Sequence, residues 1–178
     1  EGELDQRTLA RPARVERRQV VRRGKKYQRE AAPLVLAPAD LNRPDFAATG
    51  YAHGVPMGGN LSKPTAGQRP ALLVYALRDP DGPNLDRIQI IKGWLDKDGK
   101  SQERIFDVAV SDGRKIGPDG RCKTPVGSTV DVANASYTNT IGAPALSAYW
   151  KDPSFDATKG AFYYVRVIQI PSPRWTAY

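Results

Sequence analysis

Histidine, cysteine and methionine each occur once in this chain, at His53, Cys122 and Met57. A single cysteine excludes an intramolecular disulfide. One imidazole and one thiol are too few for a metal centre built on several nitrogen and sulfur ligands. A nucleophilic thiol also needs a partnering base. Cys122 follows Gly120-Arg121 in a polar loop, where a passive residue is expected, and His53 sits in a stretch rich in glycine and proline. No apolar run approaches the ~18 residues of a membrane span. The basic-then-apolar layout of a signal peptide is missing at Glu1, so no export signal is expected in these residues. A first residue other than Met, and a last run of Arg174-Trp175-Thr176-Ala177-Tyr178, fit a piece of a longer protein.

What is present is charge, unevenly placed. The formal net charge is +8 over 178 residues, and residues 1–30 hold ten Lys/Arg against five Asp/Glu, a net of +5. The other 148 residues therefore carry only +3. Phosphate affinity needs cations clustered on one surface. A basic head on a nearly balanced body makes nucleic acid a weak expectation, confined to the head. Residues 1–32 are poor in large apolar groups and are expected to form one short helix or a disordered segment. Pro12 would stand at its start and Gly24 at its end.

From residue 33 onward the pattern predicts a mainly β domain. Residues 71–77 form a compact apolar run closed by Asp79-Pro80-Asp81-Gly82-Pro83, which is turn chemistry. Residues 87–94 alternate as a strand with Ile88, Ile90 and Trp94 inward. Asp96-Lys97-Asp98-Gly99-Lys100 supplies a hairpin turn, since Asp-Gly tolerates positive φ, and residues 104–110 return as the partner strand. Residues 111–125 read as an exposed loop, with three glycines and two prolines. Shorter strands are expected at 128–132 and 145–150. The strongest strand is 161–170, stopped by Pro171 and Pro173. Short strands joined by turns, without long amphipathic helices, predict an antiparallel β-sandwich with long loops.

Few residues offer chemistry. Asp96 could open a calcium loop, but such a loop needs a bidentate carboxylate at its twelfth position. Asp107 stands there, inside a predicted strand, so a plain hairpin turn is expected. Gly54-Val55-Pro56-Met57-Gly58-Gly59 lacks the spacing of a phosphate-binding loop and reads as a tight surface turn. His53 as a general base would need an orienting carboxylate and a nucleophile nearby, so a surface or hydrogen-bonded histidine is expected. Asp79, Asp86, Asp107 and Asp131 are expected to be caps or solvated charges rather than paired acids. Arg78, Arg87, Arg166 and Arg174 with Trp94, Trp150 and Trp175 could form an aromatic-basic binding face. Packing is the expected role for those rings.

Several runs are distinctive as a set: Asn42-Arg43-Pro44-Asp45-Phe46, Gly50-Tyr51-Ala52-His53-Gly54, Arg78-Asp79-Pro80 and Asn84-Leu85-Asp86-Arg87-Ile88. Tyr137-Thr138-Asn139-Thr140-Ile141-Gly142-Ala143 and Ile170-Pro171-Ser172-Pro173-Arg174-Trp175 complete it. From about residue 40 onward the chain resembles the C-terminal part of the bacterial family known as domain of unknown function 3604. The resemblance implies a much longer parent, often exported, whose upstream region is similar to the metal-dependent polymerase-and-histidinol-phosphatase (PHP) hydrolases. It implies hydrolysis of phosphate or sulfate esters at a cluster of divalent metal ions whose ligands would lie upstream of Glu1. It therefore carries no catalytic, cofactor-binding or metal-binding residue onto this chain. The arginine-rich head departs from the family pattern, as an upstream change of reading frame would make it do. Three readings follow: an accessory segment partnered with the upstream hydrolase domain, a polyanion binder acting through the head, and a small hydrolase using His53.

Overall fold

The computed structural model describes residues 45–56, 58–61 and 68–174. The basic head, Asn42-Arg43-Pro44, Met57 and Trp175 lie outside the described residues. The chain divides into two units, Glu1–Glu30 and Ala31–Tyr178, and all described elements belong to the second.

A helix, α1 (Phe46–His53), precedes five strands: β1 (Ala71–Leu77), β2 (Leu85–Leu95), β3 (Ser101–Val110), β4 (Ala145–Lys151) and β5 (Ala161–Gln169). They form two antiparallel sheets, one of β1 and β4 and one in the order β3-β2-β5. The domain is mainly β, as the alternation predicts. In the two-stranded sheet, Leu72, Val74 and Ala76 stand opposite Trp150, Ala148 and Leu146. Val74, Ala76 and Leu146 pack with Ile88, Leu85, Val108 and Val165 from the larger sheet, so the core lies between the sheets.

The central strand β2 is buried on both faces, with Ile88, Ile90 and Ile91 all fully enclosed. The inward face carries Ile88, Ile90 and Trp94, as the alternation predicts, and with them Lys92, which it does not single out. The opposite face, with Gln89, Ile91 and Gly93, is closed too. Phe162 lies so close to Gly93 that a Cβ there would stand 2.2 Å from its ring. A strand flanked on both sides needs side chains that tolerate double burial, and the Ile-rich run supplies them.

Two expectations are corrected. Residues 128–132 form no strand; a single bridge joins Asp131 to Ser136, where the Asp131 carboxylate accepts from the amides of Ala133 and Asn134. That local bonding competes with extended pairing. Residues 111–125 are not wholly exposed. Ser111 and Cys122 are buried, because Gly120 accepts the amide of Asp107 and draws the loop along the β3 edge.

Candidate functional site

The chemically dense part of the domain is a band of buried charges on and beside β2. Asp107, on β3, has no exposed side-chain surface. Its Oδ1 accepts from Gln89 Nε2 at 2.6 Å, and its Oδ2 from the Cys122 amide at 2.7 Å. Arg87 Nη1 at 3.2 Å and Arg121 Nε at 3.3 Å complete the set. Burial alone would raise this carboxyl's pKa, but the Cys122 amide, Gln89 and the two guanidinium groups outweigh it and hold it below the ordinary range. Gln89 in turn accepts from Arg166 Nε at 2.8 Å. Asp86 pairs with Arg87 (2.9 Å) and with Arg114. Arg114 also donates to the Asp86 carbonyl at 2.8 Å, tying the loop back to β2.

On the inward face, Lys92 Nζ donates to Asp152 Oδ2 at 2.6 Å and to the Ser154 carbonyl at 2.8 Å. Tyr163 donates its hydroxyl to the same Oδ2 at 2.6 Å, and the Ser154 amide and hydroxyl fill Oδ1 at 2.9 and 3.1 Å. Burial pushes the Asp152 carboxyl up, yet the Lys92 and Tyr163 hydrogen bonds hold it below its usual value. Burial, followed by the hydrogen bond to Asp152, pushes the Tyr163 phenol well up, so it stays protonated. The Lys92 ammonium also lies 5.6 Å from the centre of the Trp94 ring and 6.0 Å from that of Tyr163, within cation–π range.

Trp94 separates two shallow concavities. One, of about 310 Å³, is walled by Leu95, Glu103 and Phe162. The other, of about 250 Å³, is walled by Lys92, Arg104, Phe155 and Lys159. Arg104 rests on the Phe106 ring at 4.8 Å. Asp156 also lines the second and pairs with Lys159 at 3.4 Å, while Lys92 is held by Asp152, so its charges are largely matched within the domain.

The sequence-derived candidates are scattered. Asp86 and Asp107 are corrected: both are buried and ion-paired rather than solvated, because each faces an arginine across β2 or its loop. Asp79 does act as a turn acceptor, taking the Asp81 amide at 3.0 Å. Asp96 accepts the Asp98 and Lys100 amides, each at 2.9 Å, and the Lys100 amide chiefly lowers its pKa. That is a hairpin turn, and Asp107 is committed elsewhere. The Gly59 amide closes on the Pro56 carbonyl at 2.9 Å, giving the expected surface turn.

His53 ends α1, and its side chain lies outside the described residues. Cys122 is buried, with its sulfur 3.5 Å from the Thr124 carbonyl. Among the described residues, the arginines and tryptophans of that set do not gather into one binding face. Trp150 packs between Phe106 and Tyr163 on the core side, Arg87 is ion-paired, and Arg78 wraps the carbonyls of Pro80 and Gly82. The Lys92–Asp152–Tyr163 group was not anticipated. Its one signal in the sequence is a lysine inside the apolar run Ile90-Ile91-Lys92-Gly93-Trp94. Among the described residues no three His, Cys, Asp or Glu side chains gather as metal ligands, and no helix is long and apolar enough to cross a membrane.

Three of the distinctive sequence runs, those that begin at Asn84, Tyr137 and Ile170, meet in space. Asn84 Nδ2 donates to the carbonyls of Asn139 and Ile141, and the Asn84 amide donates to Asn139 Oδ1 at 2.8 Å. Leu85 and Ala143 exchange backbone bonds. Gly142, at φ +78°, sits where a Cβ would stand 2.7 Å from Ile170 and 3.0 Å from the Leu85 carbonyl. These runs build one joint between the start of β2, the loop before β4 and the end of β5. No curated protein and no solved structure matches the chain. Residues 32–178, which contain this joint, match the family described as proteins of unknown function (DUF3604), and the chain belongs to that family.

Proposed function

We propose that the β domain is a non-catalytic accessory segment of a longer bacterial protein, which braces an upstream PHP-like, metal-dependent ester hydrolase domain. The observation that carries this reading is the fate of the buried carboxylates. Asp86, Asp107 and Asp152 all accept from donors of this same domain, and the oxygens of Asp107 and Asp152 are crowded with them. A carboxylate committed to several donors, with its pKa held low, is a poor general base and has little lone-pair capacity left for a metal ion. The family joint also serves architecture, since its residues bond one another.

The test is twofold. Purified chain is assayed with phosphate, sulfate and carboxylate esters in the presence of manganese or zinc; turnover above blank would sink the proposal. The upstream domain of the parent, produced with and without this segment, is then melted. A brace raises the hydrolase domain's unfolding midpoint, whereas an unchanged midpoint argues against one.

A further inference from the structure

We draw no further inference here: the strongest candidate, the patch on the face of the larger sheet away from the core where the near-parallel rings of Phe162 and Tyr164 are exposed beside the concavity walled by Glu103, carries none, because nothing in the structure shows what covers it.

Discussion

Lys92 and Asp152 show how a single pair organises its surroundings. With side-chain exposures of 7% and 0%, both charges have given up most of their water, and each depends on the other. Replacing Asp152 by Asn leaves an uncompensated ammonium beneath Trp94, and a loss of about 3–5 kcal/mol is expected in chemical denaturation. The double variant Lys92→Met with Asp152→Leu removes both charges and should recover most of that loss. Gly142 makes a different demand. Its φ of +78° and the crowding by Ile170, Asn84 and the Leu85 carbonyl leave no room for a side chain. Gly142→Ala is expected to cost about 2–3 kcal/mol from backbone strain alone, measured as a lowered denaturation midpoint.

At the scale of elements, β2 decides the fold because both its neighbours and both its faces are occupied. Ile91 lies on the face away from the two-stranded sheet, opposite Ile105 on β3 and Tyr164 on β5 in the ladders, and is fully buried. Truncation to Ala should cost about 2–5 kcal/mol, as much as the same change at Ile90 on the core side. An effect confined to Ile90 would mean that the outer face is not closed. The strands, their order along the chain and the Asp96 turn were legible in the sequence, since alternation and Asp-Gly chemistry are local. The burial of Ile91 was not. It depends on Phe162 and Tyr164 lying over the sheet, roughly seventy positions away in the chain, and no local period records that.

For the whole molecule, buried carboxylates with lowered pKa set the response to acid. Asp107 and Asp152 bind protons more weakly when folded than when unfolded. Their contribution is complete above the unfolded carboxylate value of about 4 and is lost as the pH falls through the lower folded values. Thermal midpoints should therefore be flat from pH 7 to about 5 and then fall steeply below about pH 4. Asp107→Asn combined with Asp152→Asn should flatten that fall, from a lower starting stability. Among the described residues the core comes from residues 74–170, and deleting residues 1–30 is expected to leave the cooperative unfolding of the β domain in place, as followed by circular dichroism.

By itself the sequence determined the β class, the hairpin, the inward face of β2, the near-neutral charge of the body and the family, because these rest on period, turn residues and motif identity. It misjudged Asp86 and Asp107 as caps or solvated charges and loop 111–125 as exposed, because the charged partners and the strand edge that enclose them are distant in the chain. Only the tertiary structure decided that loop 111–125 folds back along β3, and with it that these polar groups are enclosed and paired. Burial is a property of what lies across the chain. Which strand stands last in a sheet is settled by pairing between distant segments, not by the strand's own residues.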